Sequence, residues 1–214
     1  MDKISLKGVI PNIFSDAGEL NSGIWNINTG FVKGNSYLIE SESGRGKSSF
    51  CSYLYGYRTD YSGDIRFDDA NINNLSGKDW DNIRKRHLSL LFQDLALFPE
   101  LTALENVILK NRLTNYKTID EISDMFELLN ISDKINEKAS LLSWGQQQRV
   151  AIIRSLCQPF DFLLLDEPVS HLDDRNGKLM ASLIEDEVLK QGAGIIVTSI
   201  GKHLPLNYTN TIAL

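Results

Sequence analysis

A glycine-containing loop around residue 45 constrains this chain more than any other sequence feature. The segment Ser41-Glu42-Ser43-Gly44-Arg45-Gly46-Lys47-Ser48 follows a strand-like stretch and precedes a helix-like one. A triphosphate needs many donors converging on one anionic group, and backbone N–H groups at the positive end of a helix supply them. Gly44 and Gly46 let the backbone approach closely, because they carry no Cβ. The loop predicts a phosphate site, with a chance glycine loop as the alternative.

The segment fits the phosphate-loop pattern G-x-x-x-x-G-K-[S/T] except at its first position, where Ser41 replaces glycine. Lys47 is predicted to reach the β- and γ-phosphates, and Ser48 to offer its hydroxyl to Mg²⁺. A non-glycine residue held at positive φ would cost on the order of 1 kcal/mol and weaken the loop. The predicted nucleotide contacts are Ser41, Glu42, Ser43, Gly44, Arg45, Gly46, Lys47, Ser48 and Ser49.

A second polar cluster closes a buried strand. Residues 162–165 form a continuous apolar run that ends in Asp166 and Glu167. A continuous run indicates a strand buried on both faces of a parallel sheet. Strand ends in such sheets point into the ligand crevice. Asp166 is therefore predicted to hold Mg²⁺, and Glu167 to be the general base that orients the attacking water. Taken alone, two acids after a strand are equally typical of a turn or a helix start.

The remaining pattern predicts an α/β fold. Three strand-like pieces precede the loop: KISLKGVI, IWNINTGFV and SYLIE. Residues 62–72 are predicted to form a hairpin or short strand pair, and residues 86–94 to end in a strand. Apolar spacings of three and four predict helices from Leu95 to about Leu156. A helix from Asn176 to about Lys190 and the buried strand GIIVTS follow. This order predicts a parallel core sheet with an N-terminal antiparallel β layer and an inserted helical subdomain.

Composition narrows the function class. The formal net charge is -6 and no basic tract is present, which argues against a dedicated nucleic-acid binder. The start MDKISLKGV lacks the apolar core of a signal peptide, and no apolar run reaches the ~20 residues of a membrane helix. A membrane role would therefore require a partner. Cys51 and Cys157 are predicted to be small buried apolar residues rather than a disulfide or zinc site.

Three further motifs identify a family. LSWGQQQR (142–149) resembles the signature L-S-G-G-Q-Q-Q-R of ATP-binding cassette (ABC) proteins, LFQD (91–94) resembles their Q-loop, and SHLD (170–173) resembles their D-loop. These motifs, with the phosphate loop and the acidic strand end, occur in the order typical of that family and cover nearly the whole chain. The stretch LFQDLALFPELTALENV (91–107) resembles small exporter-type cassettes, such as those of lipoprotein-releasing and macrolide-export systems.

The resemblance implies one nucleotide-binding domain over residues 1–214. The P-loop core and β layer would occupy 1–93 and 157–214, and the helical subdomain with the signature would occupy 94–156. ATP and Mg²⁺ would be the ligands. In this family two cassettes face each other head to tail with ATP between them, so that one subunit's phosphate loop works with the other's signature.

Individual roles follow from the same resemblance. Gln93 would contact Mg²⁺ and the attacking water. The expected metal contacts are therefore Ser48, Gln93 and Asp166. The expected catalytic residues are Glu167 and Gln93. The loop after Gln93 would touch the membrane partner. Ser143, Gly145 and Gln146 would bind the γ-phosphate held by the opposite subunit. Phe14 is the candidate for stacking on adenine, because stacking requires only an aromatic ring; Trp25, or a plain core role for Phe14, is the alternative.

The sequence departs from the family pattern at three positions. Ser41 replaces the first loop glycine, and Trp144 replaces the first signature glycine. The switch histidine expected after the strand at 195–197 is replaced by Ser199 or Ile200, neither of which can substitute for an imidazole. His203 lies three or four residues late. His87 and His171 are predicted to be surface or packing residues rather than catalysts.

These departures predict ATP binding with slow hydrolysis. The resemblance implies an energy-coupling ATPase subunit, peripheral on the cytoplasmic face of the membrane. Its partners would be a separate transmembrane permease subunit and a second cassette, in either a homodimer or a heterodimer. No nucleic-acid partner and no direct membrane insertion are expected. Two alternatives remain: a binding-only pseudo-cassette, and a non-transport cassette protein of translation or DNA repair, which usually carries two cassettes or a coiled-coil insertion. No further domain is expected after TNTIAL (209–214).

Overall fold

Two sheets and a set of helices make up the computed structural model, which describes residues 1–15, 21–169 and 174–214. The strands are β1 (Lys3–Pro11), β2 (Asn28–Val32), β3 (Ser36–Glu40), β4 (Tyr61–Phe67), β5 (Ala70–Asn71), β6 (Leu88–Leu91), β7 (Phe162–Asp166), β8 (Gly194–Ser199) and β9 (Asn210–Ala213). The helices are α1 (Lys47–Leu54), α2 (Gly77–Arg86), α3 (Ala103–Asn111), α4 (Ile119–Leu128), α5 (Trp144–Leu156) and α6 (Asp174–Gln191). Over the described ranges, none of these helices is long and apolar enough to cross a bilayer.

The core sheet is parallel and has the strand order β6-β7-β8-β3-β9. Its register pairs Asp166 with Thr198 and Glu40 with Ser199. The carboxyl ends of β3, β7 and β8 therefore lie side by side at one edge. The second sheet is antiparallel, with the order β2-β1-β4-β5. The predicted α/β class with an N-terminal antiparallel layer is confirmed.

Strand β7 divides the hydrophobic core into two layers. Successive strand residues point to opposite faces of a sheet. Leu163 and Leu165 accordingly join the cluster formed with α3, α4, α5 and α6, whereas Phe162 and Leu164 join the cluster formed with α1 and the antiparallel sheet. All five residues of the strand are buried. The continuous apolar run is thus explained by burial on both faces, and the helices within 94–156 share their core with the sheet. The subdomain boundaries at 93/94 and 156/157 stay a prediction.

Four helices begin with the same local device. In α2, α3, α4 and α5 a Ser or Thr side chain caps the first turn, and the residue three positions on returns a hydrogen bond to the cap. This capping box satisfies two backbone donors that would otherwise lack partners. The pairs are Ser76/Asp79, Thr102/Glu105, Thr118/Glu121 and Ser143/Gln146.

Two elements are absent from the sequence-based prediction. Helix α2 has no fully buried residue, and only Trp80 and Ile83 form its apolar face, which packs partly buried against the core, so its periodicity is a weak signal. Its capping box, Ser76 with Asp79, is the signal that identifies its start. Strand β9 is short and mostly exposed, and its pairing with β3 across the chain determines it. The helix predicted from Asn176 to about Lys190 begins at Asp174 and ends at Gln191.

A buried ion pair connects the helical layer to the core. Lys117, in the loop before α4, places Nζ 2.8 Å from Glu187 Oε2 on α6, and the two side chains are 5% and 1% exposed. The other oxygen of Glu187 accepts from Lys190 at 2.9 Å. Removing Lys117 would leave the buried Glu187 carboxylate with only the exposed Lys190 as a cationic partner, so most of its compensation would be lost.

Lys117→Met is therefore expected to lower the free energy of unfolding by about 3 kcal/mol. The measurement is the urea midpoint at constant m-value. Lys138→Met is the matched control, because Lys138 pairs with Glu100 at 3.4 Å in an exposed setting; its expected cost is below about 1 kcal/mol. Equal effects of the two substitutions would contradict a specific role for the buried pair.

Candidate nucleotide site

The phosphate loop links β3 to α1 in the geometry that its sequence predicts. Gly44 and Gly46 have φ values of 81° and 96°, in the left-handed region that favours glycine. A Cβ on Gly46 would also lie 3.2 Å from the Phe14 ring and 3.3 Å from the Trp25 ring. Both glycines are therefore required by backbone conformation, and Gly46 also by close packing. Helix α1 begins directly after this loop, at Lys47.

Ser41 does not carry the strain expected of it. The non-glycine residues at positive φ in the described ranges are Asn26, Asp68, Leu95, Ala96, Asn115, Asn130 and Glu167. Ser41 is outside this set, so the expectation of a strained, weakened loop is wrong. Its N–H donates to the Ser199 carbonyl at 3.2 Å, which extends the β3–β8 ladder by one residue.

Lys47 is held inside the loop. Its Nζ donates to the carbonyl oxygens of Ser41 and Glu42 at 3.2 and 2.9 Å, and to Ser41 Oγ at 3.3 Å. Glu167 Oε1 lies 3.7 Å from the same nitrogen. Lys47 is only 4% exposed, so this cation is oriented by fixed oxygens rather than by solvent.

The acidic strand end is organised by Thr198, a residue that the sequence analysis does not select. Thr198 Oγ1 donates to Asp166 Oδ1 at 2.6 Å, and the Glu167 N–H donates to the Thr198 carbonyl at 3.2 Å. The register between β7 and β8 places Thr198 opposite Asp166. Sequence reasoning finds such a partner only once the strand pairing is known.

The two acids differ in their surroundings. Asp166 is 5% exposed, and burial raises the pKa of its carboxyl despite hydrogen bonds from Thr198 and Ser48 and the positive charge of Lys47. Glu167 follows the end of β7 and has φ +51°, an uncommon conformation for a non-glycine residue. A strained residue at the mouth of a cleft is typical of functional sites.

Gln93 connects the phosphate loop to the acidic strand end. Its Oε1 accepts from Ser48 Oγ at 3.3 Å, and its Nε2 donates to Glu167 Oε2 at 3.4 Å. Leu95 and Ala96, which follow, both have positive φ. Arg154 holds this strained turn by donating to the Leu95 and Ala96 carbonyls at 2.5 and 2.6 Å.

These residues line one cleft of about 260 Å³. Its wall consists of Ile13, Phe14, Ser43, Gly44, Gly46, Lys47, Ser48, Ser49, Gln93, Glu167 and Ile200. Four predicted site residues lie just outside it: Ser41, Glu42, Arg45 and Asp166. The first two hold Lys47 through their oxygens, Arg45 is exposed, and Asp166 lies behind Ser48 and Thr198.

The two aromatic candidates occupy different places. Phe14 is partly exposed and forms part of the cleft wall. Trp25 is 2% exposed, and its Nε1 donates to the Arg45 carbonyl at 3.1 Å behind the loop. Trp25 also packs edge-to-face on Phe50 and Tyr53. It therefore supports the loop from the core, which leaves Phe14 as the accessible ring.

The position expected for a switch histidine holds an aliphatic side chain. Ile200 lines the cleft and is 47% exposed. Ser199 is buried, and its hydroxyl donates to the Lys202 carbonyl. His203 faces Glu40 at 3.8 Å and the Tyr208 ring, outside the cleft wall. His87 pairs with Asp161 at 2.5 Å, also outside it.

The signature residues do not line the cleft of their own chain. Ser143 and Gln146 cap the N-terminus of α5 through each other, with Gln146 Oε1 accepting from the Ser143 N–H at 2.8 Å. Gly145 lies in the first turn, and Trp144 before it is 41% exposed. Gln148, one turn on, donates to the Pro168 carbonyl, beside Glu167. The SHLD motif, including His171, lies outside the described residues.

Comparison with known proteins identifies the class of protein. The family model described as "ABC transporter" matches residues 24–170. The chain therefore belongs to the ABC transporter family, as an ATP-binding subunit of that ATPase family.

The two cysteines, Cys51 and Cys157, are buried free thiols, in agreement with their predicted packing role.

Individual relatives support this assignment. The chain is 33% identical over 177 residues to the ABC transporter ATP-binding protein YclH of Bacillus subtilis, covering 81% of this chain and 77% of that protein. It is 35% identical to the lipoprotein-releasing system ATP-binding protein LolD of Buchnera aphidicola, covering 71% and 68%. It spans 63% of the length of a mycobacterial ABC transporter ATP-binding protein, at 28% identity.

The fold also matches a solved cassette. The dimeric structure of MJ0796, a bacterial ABC transporter cassette, superposes with a TM-score of 0.78 at 27% identity, covering 92% of this chain and 87% of that one. A post-hydrolysis dimer of the same cassette, bound to ADP and Pi, superposes with a TM-score of 0.75. The fold class predicted from sequence is confirmed by these matches.

Thr198→Val is expected to lower the free energy of unfolding by about 1.5–3 kcal/mol, because it removes a hydrogen bond to a buried carboxylate without changing volume. The lost donor favoured the charged form, so the pKa of Asp166 should rise further. Urea unfolding measures the first effect. Thr211→Val is the control, since Thr211 is exposed on β9. Equal stabilities of the two variants would contradict the role assigned to Thr198.

Proposed function

We propose that this chain is the energy-coupling subunit of a transporter whose membrane-spanning part is a separate protein, and that it hydrolyses Mg-ATP slowly. The observation that carries the proposal is the convergence of Lys47, Ser48, Gln93 and Glu167 in one cleft, linked by contacts of 3.3 to 3.7 Å. The family assignment supports a permease partner and a peripheral position on the cytoplasmic membrane face.

In this proposal the loop binds the triphosphate. The N–H groups from Ser43 to Ser49 at the start of α1 face the phosphates, and Lys47 exchanges its carbonyl contacts for phosphate oxygens. Phe14 stacks on the adenine base. Charge neutralisation by Lys47 is stronger here than at the surface, because its surroundings exclude water.

The residues at the start of α1 and after β6 and β7 suit a magnesium ion. Mg²⁺ is usually bound through one or two carboxylates, with waters and substrate phosphates completing its shell. Asp166, the Ser48 hydroxyl and the Gln93 amide oxygen provide that set of donors. When bound, the ion would neutralise charge that develops on the transferred phosphoryl group. Glu167 orients the attacking water, and the Gln93 Nε2 donor keeps its carboxylate in position.

The signature acts across a dimer. Because Ser143, Gly145 and Gln146 do not line their own chain's cleft, they are available to a facing subunit, as in a head-to-tail pair of cassettes. We propose a pair of two copies of this chain. The exposed indole of Trp144 replaces the first signature glycine, so the contact to the facing γ-phosphate is made beside a bulky side chain.

Slow hydrolysis follows from the switch position. An imidazole donor that stabilises transition-state charge typically contributes two to three orders of magnitude in rate. Ile200 supplies no donor, so turnover by the purified chain is expected to stay well below the ~10 per second of a median enzyme. Phosphate release with Mg²⁺, and with EDTA as the blank, measures it.

Ile200→His is expected to raise kcat about tenfold or more, because it returns a hydrogen-bond donor to the cleft wall. Ile200→Leu is the size-matched control and should leave kcat unchanged. Glu167→Gln should abolish turnover in either background. Fast hydrolysis by the unmodified chain would overturn the slow-turnover proposal, whereas ATP binding with no turnover in any background would favour a binding-only cassette.

A further inference from the structure

Arg58, in the loop after α1, contacts a residue of the phosphate loop. Its Nη1 donates to Ser49 Oγ at 2.8 Å. Its Nε and Nη2 donate to the two carboxylate oxygens of Asp60 at 2.9 and 2.5 Å. The loop that carries Arg58 is itself fixed to α1, because the Tyr57 N–H donates to the Ser52 carbonyl at 2.9 Å. Neither the phosphate-loop pattern nor the acidic strand end accounts for this arginine.

The Arg58 guanidinium is held in one orientation. Pairing through two parallel hydrogen bonds to a carboxylate fixes the plane of the group. The Tyr53 ring supports it, with 5.4 Å between Arg58 Cζ and the ring centroid. Tyr53 is only 1% exposed, so the exposed arginine lies on a buried, fixed ring. Because Asp60 also balances the charge of Arg58, the arginine acts through its hydrogen bonds more than through long-range attraction.

The contact from Arg58 determines how the Ser49 hydroxyl can be used. Arginine has only N–H donors, whereas a serine hydroxyl has one hydrogen and two lone pairs. Ser49 Oγ therefore accepts from Arg58, and its own hydrogen is left for another acceptor. One nearby acceptor is Tyr53 Oη: burial raises the pKa of this phenol, and its hydrogen bond with Ser49 opposes that rise. A phosphate oxygen is charged and is a stronger acceptor, and Ser49 lines the nucleotide cleft.

The backbone of Asp60 connects Arg58 to the aromatic ring proposed for adenine. The Asp60 carbonyl accepts from the Asn12 N–H at 2.9 Å, and Asn12 begins the 3₁₀ turn Asn12–Phe14. Ser49 is therefore linked, through Arg58 and Asp60, to the turn at the base end of the cleft. The groups proposed for the β- and γ-phosphates precede Ser49 in the loop. The phosphate nearest to the Ser49 hydroxyl is thus the α-phosphate.

We propose that Arg58 is a positioning residue for nucleotide binding, which directs the hydroxyl hydrogen of Ser49 to the α-phosphate. This inference rests on the proposed function and adds to its nucleotide site a residue from outside the phosphate loop. ATP and ADP both carry an α-phosphate, so the contact stabilises the two nucleotides equally. The transferred γ-phosphoryl group is not involved, so loss of the contact raises KM rather than lowering kcat.

The test measures the dissociation constants of the purified chain for Mg-ATP and Mg-ADP by titration calorimetry. Arg58→Met keeps most of the side-chain length and removes every donor. It is expected to weaken the binding of both nucleotides by the same factor, at least about tenfold. The KM for ATP should rise by that factor while kcat changes by less than about twofold. Arg86→Met, at the exposed end of α2, makes the same change elsewhere and should bind both nucleotides like the unmodified chain. The melting temperature of each variant reports folding.

Ser49→Ala shows whether the effect of Arg58 passes through the hydroxyl. In the Ser49→Ala background, Arg58→Met should change the binding of either nucleotide by less than about twofold, because the group that Arg58 directs is gone. An equally large effect of Arg58→Met in both backgrounds would overturn the positioning role.

Two further results would contradict the inference while the proposed function stands. One is that Arg58→Met binds ATP and ADP within about twofold of the unmodified chain. The other is a loss of ATP affinity that greatly exceeds the loss of ADP affinity, which would place the contact at the γ-phosphate. If the unmodified chain binds neither nucleotide, the proposed function fails, and this inference fails with it.

Discussion

Parallel pairing of β3, β7 and β8 is the constraint on which the rest of this structure depends. The pairing places the phosphate loop, the two acids and the switch segment side by side at one edge of the sheet. Burial on both faces holds the register, because a slip of one residue would exchange the side chains of β7 between two different cores. The contact between Lys47 and Glu167 follows from that alignment, and the pairing of β6 with β7 brings Gln93 to Glu167.

The start of helix α5, which carries the signature, has both a structural role and a proposed functional role. Ser143 and Gln146 cap α5 within their own chain, and the proposed dimer uses the same helix start to face a second phosphate. Gln148 joins this helix to Pro168, beside the Glu167 carboxylate. Local helix chemistry and function across the dimer thus depend on one short segment. Trp144 alters the surface that this segment presents without altering its cap.

The sequence alone predicts those parts of the candidate site that consecutive residues form. The loop from Ser41 to Ser48 and the run ending in Asp166 and Glu167 are local patterns, and the continuous apolar residues of β7 indicate burial on both faces of the sheet.

The sequence is less informative about features that depend on how the strands pair in the folded protein. The φ of Ser41, the hydroxyl of Thr198 and the place of Ile200 in the cleft wall depend on strand register. Helix α2 is absent from the prediction because only two residues, Trp80 and Ile83, form its apolar face, although its capping box of Ser76 and Asp79 is present in the sequence.

In the proposed function, a second copy of the chain completes the nucleotide site. The most direct test uses Glu167→Gln, which should retain bound ATP, and measures its mass by light scattering with and without Mg-ATP. A change from monomer to dimer on adding Mg-ATP is the predicted result, and it would mean that the Trp144 signature closes on the facing site. A protein that binds ATP and remains monomeric would contradict the claim and would assign the opposite signature to a different cassette.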